Sequence, residues 1–565
     1  MKITRRTALQ MLAAAGNAAA SRKLMGLVPQ TPANPSGRLA TSAERGLAAG
    51  PFQPSWQSLK AQYKTPEWFR DAKFGIWAHW TAQCVPEQGD WYARRMYIQG
   101  DPAYDYHVKT YGHPSKVGFK DIDVMWKAER WEPEALMDLY QAAGAKYFMA
   151  LANHHDNFDN YNSRHHAWNS TRIGPKKDIV GTWATICKRR GLRLGVSNHS
   201  GHAWHWFQTA FGYDAEGPLQ GVRYDGFAKR SVGRGTGWDG LDPHELYVGP
   251  SLVVPDGLTS IKAMQEWHDR NDRTWDENPP CDDPNFTNTW FLRCKDLLDT
   301  YDPDMLYFDN TELPLGQAGL DVTAHFYNQS IQRRGKLDAV VFGKQFVPQH
   351  RGAAALDLER GRSNDILPLP WQTDTCIGDW HYNIHTFKDH KYKSAKTVIE
   401  LLADIVSKNG NLCLNIPLKG DGTIDSDERK ILADLAGWMP GNSEAIFGTR
   451  PFSIYGEGPP DPVATGNFNE SKGRAYTAED MRFTVKEGRL YAIILGPPAD
   501  GKVRIKALAK GSSALPGEIT KVEALAPMAS LTFERTSAAL VVTLPPGRPS
   551  DLAFALRITP SRLPV

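Results

Sequence analysis

The chain is 565 residues long, too long for one ordinary core and suited to a large domain with an accessory one. Its formal charge is +3, but Lys2, Arg5, Arg6, Arg22 and Lys23 stand in the first thirty positions with no acid among them. The remainder therefore sits near neutrality, which excludes nucleic acid or an anionic membrane as the main partner.

Taken from its start, the chain reads first as an address. Thr4-Arg5-Arg6-Thr7 supplies a twin-arginine pair, residues 8–20 a modest apolar stretch and Ala18-Ala19-Ala20 a small-residue cleavage site. Residues 1–30 are thus expected to be an export signal, with the protein periplasmic or extracellular. The Pro-, Ala-, Gly- and Ser-rich residues 31–54 read as a linker. No stretch reaches the ~18 uninterrupted apolar residues of a membrane span. Six cysteines, Cys84, Cys187, Cys281, Cys294, Cys376 and Cys413, show no metal-type spacing and are too sparse for a disulfide scaffold.

From residue 55 apolar runs alternate with amphipathic ones. Strands are expected at 74–77, 147–151, 192–196, 305–308, 340–342 and 412–416, and helices at 133–143, 179–190, 290–300, 322–334 and 395–407. This alternation implies parallel βαβ units and, at this length, an α/β fold of the (β/α)8-like barrel type over 55–447. Residues 207–285, rich in Gly, Asp and Pro, break the rhythm as a long excursion over one barrel face. Short β-rich runs at 482–485, 490–495, 503–505, 531–533 and 540–544 then point to a C-terminal antiparallel β-sandwich over 448–565.

Parallel barrels carry their chemistry at the C-terminal ends of the strands. Those ends read Ala78-His79-Trp80, Asn153-His154-His155-Asp156, Ser197-Asn198-His199 and Asp309-Asn310-Thr311-Glu312, followed downstream by Asp357-Leu358-Glu359-Arg360 and Trp371-Gln372-Thr373-Asp374. Carboxylates, imidazoles and Trp at one mouth suit glycosidic bond cleavage, which needs one carboxylate below the sugar ring and one carboxylic acid at the leaving oxygen. The 18 Trp of the chain agree, since flat aromatic faces pack on the C–H faces of sugars.

Several ordered blocks carry a family resemblance: residues 68–80, 91–97, 142–147 leading into His154-His155-Asp156, 407–416 and 442–451. Over residues 60–450 the chain resembles glycoside hydrolase family 29, the retaining α-L-fucosidases. The resemblance implies a barrel with a C-terminal β-sandwich and a fucosylated oligosaccharide or glycoconjugate as substrate; no cofactor or metal is expected. It leaves a homo-oligomer open. Asp309 in Leu306-Tyr307-Phe308-Asp309 matches the nucleophile, with Tyr307 where the family usually has Trp. Glu359 is taken as the acid/base, with Asp357, Asp374 and Glu312 as competitors. Gln372, where the family often has Glu, cannot titrate.

His79, His154 and His155 match positions that bind sugar hydroxyls, and Trp91 one near the same pocket. His199, Tyr307 and Trp371 complete the expected substrate-binding set, while Phe74, Phe158 and Trp380 are candidates for the apolar patch that a 6-deoxy sugar needs. Two rivals stand beside this reading: a zinc site on His154, His155, Asp156 and His199, and a pocket for a related sugar such as α-L-galactose or without catalysis. Adjacent strand residues point to opposite faces, which argues against the zinc site.

Overall fold

The computed structural model describes residues 37–249, 253–271, 283–546 and 551–563. The expected export signal and Cys281 lie outside them. Eight parallel strands close into a barrel in chain order: β1 Phe74–Ala78, β2 Tyr147–Asn153, β3 Arg193–Asn198, β4 Met305–Thr311, β5 Val340–Lys344, β6 Ala355–Asp357, β7 Trp371–Cys376 and β8 Gly410–Asn415. The longer helices packed outside it include α1 Pro133–Ala142, α2 Ile179–Arg190, α3 Pro284–Tyr301, α4 Gln317–Arg334, α5 Ala395–Ser407 and α6 Ser426–Asn442.

Period-two alternation sorts the strand residues. Trp77, Tyr147, Met149, Met305, Tyr307, Val340, Phe342, Ala355 and Cys413 fill the barrel interior. Alternate residues such as Ile76, Phe148, Val196, Leu306 and Val341 join the helices in a second, larger core. Strands β6 and β7 are absent from the expected set because their buried inward side chains, Asp357, Gln372 and Asp374, give no apolar run to read.

Among the described residues, the excursion between β3 and β4 folds mostly into short 3-10 turns, with a longer helix at Ile261–Asn271. It is packed rather than loose: Trp206, Phe207 and Tyr247 are buried in the main core. The expected linker needs correction from residue 37 onward. Arg45 pairs with Asp321 of α4 at 2.5 Å, both side chains buried, and Phe52 joins the core. Composition marked this stretch as low in periodicity, but a few anchors suffice to fix it. Arg45→Ala is expected to cost about 3 kcal/mol by leaving Asp321 buried without its countercharge, measured as a lowered urea midpoint at unchanged m-value.

After α6 the chain forms a six-stranded antiparallel sheet of order β14-β13-β17-β11-β10-β9 and a three-stranded one of order β12-β16-β15. The strands are β9 Arg450–Glu457, β10 Met481–Lys486, β11 Arg489–Ile494, β12 Lys502–Ile505, β13 Ile519–Leu525, β14 Met528–Ser530, β15 Phe533–Arg535, β16 Leu540–Thr543 and β17 Phe554–Pro560. Phe452, Phe483 and Leu556 of one sheet share a core with Val503, Leu540 and Val542 of the other. Asp404 of α5, buried between Arg482 at 2.6 Å and Lys408 at 2.8 Å, fastens this unit to the barrel.

Candidate active site

At the C-terminal mouth of the barrel, the β4–β5 register shifts between Tyr307 and Thr311. Such an irregularity frees backbone from the ladder and re-aims a side chain. Here the freed carbonyl of Asp309 accepts from His202 Nε2 at 2.5 Å. The Asp309 carboxylate faces a ring of partners: Oδ2 lies 3.4 Å from both His155 Nε2 and His199 Nδ1, and Oδ1 accepts from Lys344 Nζ. The same ammonium donates to Glu359 Oε2 at 2.5 Å. Oxygens bridged by one ammonium stand no more than two hydrogen-bond lengths apart, roughly 6 Å.

Glu359 also accepts from Trp380 Nε1 at 3.2 Å. Burial would raise Asp309, but Lys344 and then His199 outweigh it and hold the carboxyl well below its ordinary range. Glu359 goes the other way: burial raises it, against the pull of Lys344, and the Asp309 charge adds to the rise. Two carboxylates pushed apart in this way are suited to act one as base or nucleophile and the other as acid.

The imidazoles are set by side chains at neighbouring strand ends. Asn153, at the end of β2, accepts from the backbone N–H of His199 and of Ser200 at 3.0 Å and donates to Asp159 at 2.9 Å. Asp159 is itself paired with Arg293 of α3. Asn415, at the end of β8, accepts from His79 N at 2.8 Å and donates to Trp380 O at 2.8 Å. Burial pushes His79, His154 and His155 well below the ordinary histidine range and also lowers His199, against the pull of Asp309. Neutral rings can donate or accept hydrogen bonds. His79 Nδ1 and His199 Nε2 find no such partner among the described residues, and buried unpaired groups of this kind suit a ligand rich in hydroxyls.

The structure thus gathers Asp309, Glu359, His79, His154, His155 and His199 at one mouth. Trp91 joins them, its ring edge-on to His155 at 6.0 Å. Three expectations are corrected. Trp371, at 1% exposure, packs in the outer core and donates to Lys408 O, so it does not reach a ligand. Tyr307 is fully buried beneath the mouth and spends its hydroxyl on Asp374 Oδ2 at 3.0 Å. Phe74 and Phe158 lie in the outer core, whereas Trp380 stands at the mouth, 4.8 Å from the His79 ring.

Of the competing carboxylates, Asp357 and Asp374 form a hydrogen-bonded pair on the barrel floor. Burial pushes Asp357 up to about 6, against the hydrogen bond from Asp374. Burial and then Asp357 push Asp374 well above its range, so the pair is arranged to share a proton. Glu312 accepts from Val347 N and His350 Nδ1.

Adjacent His154 and His155 do not diverge as strand parity predicts. Both follow the end of β2, and their rings lie 4.2 Å apart. Among the described residues three groups, His79-His154-His199, Asp90-His154-His381 and His155-His199-Asp309, have donor atoms within 4.8 Å of one another. Sequence reading missed Lys344 although it is the first charged residue after the run Val340-Val341-Phe342-Gly343. It also missed His381, held by Asp90 at 2.6 Å, whose setting in a loop after β7 gave no signal.

Comparison with known proteins places the chain. The family model described as alpha-L-fucosidase matches residues 39–444. The chain belongs to the alpha-L-fucosidase family. Among characterised relatives of this family member, tissue alpha-L-fucosidase of Rattus norvegicus is 26% identical over 537 residues, covering 92% of this chain and 96% of the relative. That of Homo sapiens is 25% identical, covering 92% and 94%. The crystal structure of Thermotoga maritima alpha-fucosidase in complex with fucose superposes with a TM-score of 0.64 at 25% identity, covering 90% of this chain and 100% of that one. The alpha-L-fucosidase isoenzyme 1 from Paenibacillus thiaminolyticus, 19% identical with a TM-score of 0.58, shares the fold.

Proposed function

We propose that the protein is an exported, retaining exo-glycosidase that releases terminal α-L-fucose from glycans or glycoconjugates. The single observation that carries this reading is the bridge from Asp309 through Lys344 to Glu359, inside a ring of neutral imidazoles. The separation it permits suits retention, for which carboxyl groups stand about 5–5.5 Å apart, better than inversion at about 6.5–9.5 Å. Family membership and the fucose bound by the Thermotoga maritima relative support the sugar.

In the first step Asp309 attacks the anomeric carbon as the bond to the leaving oxygen breaks, and Glu359 gives that oxygen its proton. Asp309, now an ester, no longer raises Glu359, while Lys344 still lowers it. Glu359 is thereby readied to take a proton from water, whose oxygen attacks the same carbon and frees Asp309.

Aryl glycosides and linkage-defined fucosyl oligosaccharides, followed by proton NMR from mixing, test the whole reading. α-L-Fucose is expected as the first anomer released. A β-anomer appearing first would remove retention, and faster cleavage of α-L-galactosides would reassign the sugar. Turnover is expected to survive exhaustive chelation; its loss, with recovery on adding back Zn²⁺, would instead favour the His clusters as a metal site.

Lys344 also yields a pH prediction. It lowers both carboxyls, so Lys344→Met raises both. The acid limb, which needs ionised Asp309, and the alkaline limb, which needs protonated Glu359, should both move to higher pH in kcat/KM profiles. Stationary limbs would count against the assigned roles.

A further inference from the structure

Between β9 and β10 the C-terminal unit sends out residues 458–480, and part of this segment lies along the loop that carries Glu359. Gly466 and Arg362 form an antiparallel bridge. Phe468 N donates to Glu359 O at 2.8 Å, and Asn469 N and Glu470 N donate to Arg360 O at 3.1 and 3.0 Å. The Asn469 side chain accepts from Arg362 N at 2.9 Å and donates to Arg362 O at 3.2 Å.

Glu470, its side chain almost fully buried, accepts from Thr375 Oγ1 at 2.7 Å and pairs with Lys393 at 2.8 Å and Arg360 at 3.3 Å. The approach is close enough to require glycine on the barrel side, since a Cβ at Gly361 would stand 2.3 Å from Gly466 O. The acid/base residue is therefore gripped from two sides: its side chain by Lys344 and Trp380, and its backbone by a segment of the other domain.

Within this grip, Phe468 contradicts the usual rules. The residue is 56% exposed and its backbone φ is +51°, a region that disfavours bulky side chains. Core packing does not account for it, because the residue is not buried. Its backbone is one hydrogen bond from Glu359, the residue that hands a proton to the leaving oxygen in the reading above. Whatever carries that oxygen must rest beside Glu359 during the first step. For a glycan this is a sugar ring, which presents an apolar C–H face suited to a flat aromatic.

We propose that the 464–470 segment of the C-terminal domain completes the active site, with Phe468 as the aromatic platform of the leaving-group subsite. The leaving group it takes is a pyranose of the glycan chain. The proposal rests on the fucosidase reading and extends it to the other side of the scissile bond.

The experiment compares the full-length protein with Phe468→Ala and Phe468→Trp on α-L-fucosyl fluoride, whose leaving group is a single atom, and on fucosyl disaccharides linked to galactose and to N-acetylglucosamine. For Phe468→Ala, kcat/KM on the preferred disaccharide should fall about tenfold more than on the fluoride, chiefly through KM. Phe468→Trp should recover most of that difference. Equal losses on both substrate types would show a merely structural residue, and no loss on any disaccharide would show an idle one; either result overturns the subsite while leaving the fucosidase reading intact. A wild-type protein that cleaves neither the fluoride nor any disaccharide would overturn the fucosidase reading, and the subsite with it.

Discussion

Asp309→Ala is expected to lower kcat on every fucoside by at least about 10⁴-fold, the scale on which loss of a covalent nucleophile is felt. No neighbouring group can take over. Glu359 is held on the far side of Lys344, and the two floor carboxylates, Asp357 and Asp374, are buried and committed to each other. Folding should survive the change. Lys344 keeps Glu359 as a partner at 2.5 Å, so no charge is left buried alone, and the Asp309 side chain is itself 19% exposed at the mouth. Thermal unfolding should therefore stay within a few degrees of wild type. Azide offers a sharper test, because it is small enough to occupy the space left by the carboxylate. With an activated aryl fucoside it should restore turnover by attacking the anomeric carbon from the vacated face, giving β-L-fucosyl azide as the phenolate departs. A variant that keeps more than a hundredth of wild-type activity without azide would show that Asp309 is not the nucleophile.

The sequence made most of the barrel legible where physics writes it in apolar side chains. Strands β1 to β5 and β8 bury both faces, so each leaves an uninterrupted run, and their ends announce the polar mouth. Strands β6 and β7 were hidden because their interior face is a hydrogen-bonded network: Gln372 donates to Asp357 at 3.0 Å and accepts from Tyr147 OH at 3.0 Å. These residues look like loop chemistry until the fold closes around them.

The same closure explains Tyr307, read as a ligand of the sugar and found instead as a floor residue donating to Asp374. Tyr307 and Gln372 thus belong to one buried network. Trp371 went astray for a simpler reason. It opens β7 and faces outward, a parity that a single residue in an unrecognised strand does not reveal. The grip of residues 464–470 on the Glu359 loop, joining positions about a hundred apart in the chain, leaves no periodic trace at all.

Glu359→Ala is expected to separate substrates by their leaving groups. A sugar alkoxide departs poorly without a proton, so natural fucosides should lose about 10³-fold or more in kcat/KM, within the reach of general acid catalysis. A dinitrophenyl fucoside needs little protonation, so its first step should be nearly untouched. Its second step still lacks a base. The glycosyl-enzyme on Asp309 should therefore accumulate, giving a burst of phenolate followed by slow turnover. Azide, which needs no base, should relieve this slow step and yield the α-L-fucosyl azide, the anomer opposite to that from Asp309→Ala. The pH profile supplies an independent reading. Glu359 is raised above its ordinary range and must be protonated to act as acid, so wild-type kcat/KM should fall as pH climbs through its raised pKa, and the variant should lose this alkaline limb. Equal losses on natural and activated substrates, with the limb retained, would move the acid to another residue. Glu312, already held by His350 at 2.8 Å, would then be the next carboxylate to replace.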